Sequence, residues 1–163
     1  MDENPGNSRV MTLEELMRQV HIWRLKDDKI VFTNGCFDIL HQGHVDILKR
    51  AYDLGDRTIV AINSDASVQS LEKAPDRPIN DENARAAVMS AVRYVDAVVI
   101  FNEPTPYELI EMIRPDVLVK GGDWKIDEIV GADIVQANGG EVLSLDLVEG
   151  FSTTSIIEKI SNG

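Results

Sequence analysis

Five short apolar runs, separated by segments of helical periodicity, constrain this chain more than any other feature. They read "KIVFT", "RTIVAIN", "DAVVIF", "DVLVK" and "EVLSLDL". Runs this short and this continuously apolar suit strands buried on both faces, and helices between them suit parallel crossovers. The pattern predicts an α/β fold, a three-layer, Rossmann-like open sheet of about five parallel strands with helices on both faces. No internal repeat or linker divides it, so residues 11–163 read as one domain behind a flexible polar tail over residues 1–10.

The intervening segments carry helix signals. In "TLEELMRQVHIW", Thr12 and Glu15 fit a capping box, with Leu13, Leu16, Met17 and Val20 on one face. "GHVDILKRAYDLG" predicts a helix starting near Gly43, with Val45, Leu48, Ala51 and Tyr52 inward and Gly55 as its C-terminal cap. "DENARAAVMSAVRYV" is a second strong helix, and "TPYELIEMIRP" is a third, with Pro106 in its first turn and Pro115 at its end. "IDEIVGADIVQANGG" is helical in part, and "STTSIIEKIS" closes the chain. The longest irregular stretch, "LEKAPDRPIN", reads as a mobile active-site loop.

Charge narrows the partners. A net charge of −12 repels nucleic acid and acidic membranes. No apolar run is long enough to span a bilayer, and "MDENPGNSRV" lacks a signal pattern, so a cytoplasmic protein is expected. Cys36 is the single cysteine, which excludes an internal disulfide and fits a reducing compartment. A small anionic ligand remains compatible with the acidic total, because a local field can oppose the global one. Basic residues near a cleft, such as Lys120 and Arg85, therefore carry information.

Ligands of open parallel sheets bind beyond the carboxyl ends of the strands. The first run leads into Asn34, Gly35, Cys36, Phe37, Asp38 and then His41-Gln42-Gly43-His44. The second leads into Asn63 and Asp65, the third into Asn102 to Thr105, and the fourth into Lys120, Gly121, Gly122, Asp123 and Trp124. The fifth leads into Gly150, Phe151, Ser152, Thr153 and Thr154. Neither G-x-G-x-x-G after the first strand nor G-x-x-x-x-G-K-[ST] is present, which argues against a dinucleotide dehydrogenase or a P-loop kinase. In H-x-G-H, Gly43 permits close backbone approach, and His44 falls in the first helical turn, where free N–H groups favour anions. Two imidazoles there can donate to phosphate oxygens as charge builds. A zinc pair would need a third ligand, for which Cys36 and Asp38 are poor candidates. A capped structural turn is the other reading.

These residues resemble the H-x-G-H nucleotidylyltransferase superfamily. The stretches "TNGCFDILHQGHVDIL", "VAINSDASV", "RPIN", "DVLVKGGDW", "ANGGEV" and "EGFSTTSIIEKI" are similar to bacterial heptose 1-phosphate adenylyltransferases, which occur as a domain of bifunctional enzymes and as separate proteins. The resemblance covers about Leu13 to Ile160. It implies transfer of a nucleotidyl group from a nucleoside triphosphate, ATP by this likeness, to a sugar 1-phosphate, with release of pyrophosphate. The acceptor's own oxygen would attack the α-phosphorus, and Mg²⁺ would ride on the triphosphate. His41, His44, Lys120 and Arg85 become the catalytic candidates. Asn34, Gly35, Cys36, Phe37, Asp38, Gly43, Gly121, Asp123, Ser152, Thr153 and Thr154 become the nucleotide-binding candidates. Asp38, Asn63, Asp65, Lys73 and Arg77 become the acceptor-binding candidates.

Each carries a plainer alternative. Arg85 is also readable as a surface arginine, Trp124 as packing, and the hydroxyls of "STTS" as caps, with Ser155 and Glu158 forming an S-x-x-E box. Relatives carry a lysine after the "SV" segment; here "SVQSLEKAPDRP" offers Lys73 beside one extra residue. Relatives also imply a homodimer. The competing functions are a cytidylyltransferase acting on glycerol 3-phosphate and a nucleotide sensor without catalysis.

Overall fold

The computed structural model describes residues 8–71 and 75–163. The chain runs α1 (Leu13–Leu25), β1 (Ile30–Gly35), α2 (Gln42–Tyr52), β2 (Arg57–Asn63), α3 (Asp65–Ser70) and α4 (Glu82–Ser90). It continues β3 (Ala97–Phe101), α5 (Tyr107–Ile113), β4 (Val117–Gly121), a 3₁₀ turn (Ile126–Glu128), α6 (Ala132–Ala137), β5 (Glu141–Leu145) and α7 (Thr153–Asn162). The five strands pair in parallel in the order β3-β2-β1-β4-β5. The chain moves outward from β1 to β3, then returns to place β4 on the other side of β1. That reversal opens a crevice above the carboxyl ends of β1 and β4.

Side-chain alternation divides the core between two faces. Ile30 and Phe32 of β1, Ile59 and Ala61 of β2 and Leu118 of β4 pack with Leu16, Val20 and Trp23 of α1 and with buried residues of α5 and α6. On the other face, Val60 and Ile62 meet Leu48 of α2 and Ala86 and Met89 of α4. Val31, Val117 and Val119 meet Ile47 and Ala51 of α2. Each such buried Val, Leu or Ile side chain contributes roughly 1.5–3 kcal/mol of transfer free energy, which anchors α2 on the sheet and fixes the height of its first turn.

Local expectations meet three corrections. Arg9 and Val10 are not tail: the Val98 N–H donates to the Arg9 carbonyl (2.7 Å) and Met11 N–H to the Val98 carbonyl (2.9 Å), covering part of the β3 edge. The remainder of the expected tail, residues 1–7, lies outside the described residues. On the helices, Leu13 and Tyr52 are exposed, and Trp23 and Ile47 fill the core instead. Helix α2 ends at Tyr52 with Asp53 as its C-terminal cap, while Gly55 packs against the Lys29 carbonyl at the foot of β1.

The capping box of Thr12 and Glu15 forms as its spacing requires. At the opposite rim of the sheet, acids cap the strand starts. Asp56 accepts from Lys29 N–H (2.8 Å), Asp96 from Thr58 N–H (2.8 Å) and Asp116 from Ile30 N–H (2.7 Å). Part of the acidic excess is thereby held at the amino-terminal rim, away from the rim where the strands end.

Candidate active site

Two cavities open above the strand ends, and Cys36 borders both. The larger, about 570 Å³, is lined by Cys36, Phe37, Asp38, His44, Val68, Asp76, Arg77, Thr153, Thr154, Ile157 and Glu158. The smaller, about 300 Å³, lies at the β1–β4 crevice and is lined by Asn34, Gly35, Cys36, Asn63, Lys120 and Trp124, closed by Leu71, Pro104, Thr105, Pro106 and Glu128 to Val130. Both fall in the size range of small-molecule sites.

The histidine pair is built by helix capping. His41 is the N-cap of α2, and its Nδ1 accepts from Gly43 N–H at 3.1 Å. His44 Nδ1 accepts from His41 N–H at 3.4 Å. A ring nitrogen that accepts from an amide bears no proton, so each neutral imidazole carries its hydrogen on Nε2. The rings stack with centroids 3.7 Å apart, and Phe37 meets His44 edge-on at 5.1 Å. His44 borders the larger cavity, and His41 lies stacked against it. A Cβ on Gly43 would stand 3.0 Å from the His41 ring, so the glycine leaves room for that ring to fold over the helix start.

Burial, with the adjacent His41 adding to it, pushes His44 down from 6.5 to about 4; burial lowers His41 as well. The unfolded chain therefore binds a proton near pH 6.5 that the folded chain refuses until about pH 4. Stability is full above that window and falls as pH drops through it. Urea unfolding at pH 7 and pH 4.5 is expected to show the loss, with a smaller loss in His44→Gln. Equal losses in both proteins would contradict the assignment.

Asp38 is a strap rather than an open ligand. Its buried carboxylate accepts from Ile79 N–H (2.9 Å), Asn80 N–H (2.9 Å) and Arg77 Nη1 (3.0 Å). Burial opposes ionisation there, but the amides of Asn80 and Ile79 and the Arg77 guanidinium outweigh it and hold the carboxyl below its usual range. The strap draws the segment before α4 onto the end of β1.

Arg85 departs furthest from expectation. Its side chain is fully buried rather than on the surface, and its donors are taken up by protein acceptors. It donates to the carbonyls of Asn80 (3.0 Å), Cys36 (2.7 Å) and Asn63 (2.7 Å) and pairs with Asp65 at 2.7 Å. The guanidinium fork thus ties the ends of β1 and β2 to the α4 entry. Asp65 is committed to that pair and borders neither cavity.

The other expected residues divide. Thr153 and Thr154 reach the larger cavity with His44, as do Phe37, Asp38 and Arg77. Ser152 instead caps α7: its hydroxyl accepts from Ser155 N–H at 3.0 Å, which makes Ser152–Ser155 the box rather than Ser155–Glu158. Asn34, Gly35 and Asn63 face the smaller cavity with Lys120. Gly43 and Gly121 pack beneath, and Asp123 is exposed beside neither cavity. Lys73 lies outside the described residues. Nucleotide and acceptor candidates are therefore mixed between the two cavities.

Trp124 was expected to pack. It stands 45% exposed, with Lys120 Nζ 5.7 Å from its ring centroid. Thr105, Glu128 and the α7 residues Ile157 and Glu158 also line the cavities, though none is among the catalytic or binding candidates of the sequence. For Thr105 the available signal was its place just past β3. For the α7 pair it was their spacing one turn beyond Thr153 and Thr154. Among the described residues, no three His, Cys, Asp or Glu side chains form a group fit to hold a metal ion, and no helix is long and apolar enough to cross a membrane.

Residues 32–159 match the cytidylyltransferase-like family. The bifunctional protein HldE of Koribacter versatilis is 56% identical over 154 residues, which are 94% of this chain and 32% of that protein. HldE of Ectopseudomonas mendocina is 58% identical over 158 residues, 96% of this chain and 33% of that protein. The chain spans about a third of the length of these curated relatives. The crystal structure of the lipopolysaccharide core biosynthesis protein from Thermoplasma volcanium superposes with a TM-score of 0.61 at 30% identity, covering 74% of this chain and 97% of that one.

Proposed function

The chain belongs to the cytidylyltransferase-like family, and from that premise we propose that it transfers a nucleotidyl group from a nucleoside triphosphate, ATP in our reading, to a sugar 1-phosphate of the heptose class. The observation that carries the proposal is the pair of cavities meeting at Cys36. One holds His44 with the Thr153 and Thr154 hydroxyls; the other holds the Lys120 ammonium. The likeness to HldE and to a lipopolysaccharide core biosynthesis protein supports the sugar-phosphate acceptor.

We assign the triphosphate to the larger cavity and the acceptor to the smaller. Nε2–H of His44 faces the phosphates as a neutral donor, and hydroxyls and free N–H groups in the first turn of α7 add further donors. The acceptor's phosphate, drawn by Lys120, presents an oxygen to the α-phosphorus. A new P–O bond forms as the bond to the β-phosphate oxygen breaks, and pyrophosphate leaves with the electron pair. No protein nucleophile takes part, so catalysis is alignment plus neutralisation of developing charge. Mg²⁺ would come bound to the nucleoside triphosphate, where it would supply charge neutralisation for the departing pyrophosphate.

In this reading Arg85 and Asp38 hold the frame. Arg77, already paired with Asp38, remains available at the edge of the triphosphate cavity. The protein works in the cytoplasm as a homodimer; light scattering that gave an 18.1 kDa particle would contradict the dimer.

The test is pyrophosphate release from ATP, CTP, GTP and UTP with Mg²⁺, against heptose 1-phosphate and glycerol 3-phosphate. Turnover with ATP and the sugar 1-phosphate is expected. Turnover only with CTP and glycerol 3-phosphate would overturn the substrate assignment. Binding of nucleotide without turnover in any combination would overturn the enzyme assignment.

A further inference from the structure

We propose that the indole of Trp124 is the platform on which the acceptor's sugar ring stacks, and so a determinant of acceptor choice. This rests on the assignment of the smaller cavity to the acceptor. The argument begins with the loop after β4. Gly122 adopts φ +122°, a left-handed conformation that favours glycine, and a Cβ there would stand 2.8 Å from Trp124 Nε1. The missing side chain lets the indole fold back along its own loop.

Three polar contacts then fix it. Trp124 Nε1–H donates to the Gly121 carbonyl at 3.2 Å, and Trp124 N–H donates to Ser144 Oγ at 3.0 Å. Ser144 Oγ–H in turn donates to the Gly122 carbonyl. The indole N–H, the ring's polar handle, is used internally, and much of the remaining carbon surface is exposed.

A large aromatic held by hydrogen bonds yet left 45% exposed at a cavity wall is not serving the core. Its counterpart Trp23 is 5% exposed and packs between α1 and the sheet. The ammonium of Lys120 lies 5.7 Å from the Trp124 ring centroid. One ligand can therefore place an anion at Lys120 and an apolar face of C–H groups on the indole. A pyranose carrying a 1-phosphate has both features a bond or two apart. Inorganic phosphate and glycerol 3-phosphate have the anion without the ring face. The chemical class selected is thus a cyclic sugar phosphate.

The test uses two readouts on the full chain saturated with Mg²⁺ and a non-hydrolysable ATP analogue for binding, or with ATP for turnover. First, heptose 1-phosphate is expected to change the fluorescence of wild-type protein, and Trp124→Phe is expected to lose that change, because the remaining Trp23 is buried away from the cavity. Second, Trp124→Ala is expected to raise the acceptor KM about tenfold with the ATP KM unaltered, and Trp124→Phe to recover most of it. Inorganic phosphate is expected to give little signal in any variant. An unaltered acceptor KM in Trp124→Ala, with wild-type turnover intact, would overturn the platform while leaving the proposed reaction standing. A wild type without turnover would overturn the reaction itself. A folded Trp124→Ala whose ATP KM rises equally would make the residue a loop anchor and overturn the proposal. Circular dichroism verifies the fold of each variant.

Discussion

His44→Ala is expected to lower kcat by about 10²- to 10³-fold while the protein remains folded. The reasoning separates the ring's two nitrogens. Nδ1 does structural work, accepting from His41 N–H at the start of α2. That contact is 3.4 Å long, so its loss costs no more than about 1 kcal/mol, the size of an ordinary capping bond. In the proposed mechanism Nε2–H does the chemical work, since His44 lines the cavity that Thr153 and Thr154 also line. Because burial keeps the ring neutral, it donates without having to lose a charge as phosphate charge develops. His44→Gln, which places an amide N–H near the position of Nε2, is expected to retain more activity than alanine. Steady-state kinetics with thermal melts of all three proteins checks this. A fully active His44→Ala would remove the imidazole from the mechanism.

Arg85→Ala is expected to have the largest effect on stability, a loss of about 3 kcal/mol. The side chain is fully buried and satisfies three carbonyls and one carboxylate. Alanine leaves the Asp65 carboxylate without its cation and the ends of β1 and β2 without a tie. For a chain of this length the loss corresponds to a fall in Tm of roughly 10 °C. Arg85→Lys is expected to rescue little, because a single ammonium cannot reach the divergent acceptors that the fork spans. This separates a positioning residue from one that touches substrate. Positioning predicts a lower Tm in both variants and raised KM for both substrates, since Cys36 and Asn63 stand at the cavities. Direct phosphate contact predicts lost turnover at unchanged Tm.

Much of the fold was legible because its signals are local. Five continuous apolar runs gave the parallel sheet, and Thr12 with Glu15 gave the first capping box. The rim was legible too, since residues after parallel strands must gather at one end. What stayed hidden depends on contacts distant in the chain or on backbone torsions. Nothing in a lone arginine reveals that the Cys36 carbonyl, 49 positions earlier, will accept from it. Asp38 is matched to Asn80 across 42 positions in the same way. In "FSTTS" four hydroxyls stand in a row, and the extended backbone of Ser152 (φ −150°, ψ 152°) makes it the cap. Trp124 reads as packing because its exposure follows from the φ of Gly122.

The proposed division of labour between the cavities rests on placement. The strand order puts β4 beside β1, so Lys120 stands across the crevice from Asn34 and Gly35, whereas α2 and α7 bring His44 and the threonines together on the far side of Cys36. One residue type in one loop does not specify this; the reversal of strand order does.

The most direct measurement is a crystal structure of the chain with Mg²⁺, a non-hydrolysable ATP analogue and heptose 1-phosphate. The triphosphate is expected against His44 and the first turn of α7, the sugar phosphate at Lys120 and Trp124, and the attacking oxygen in line with the α-phosphorus beside Cys36. A nucleotide seated at Lys120, or both ligands crowded into the cavity of His44, would contradict the two-cavity account.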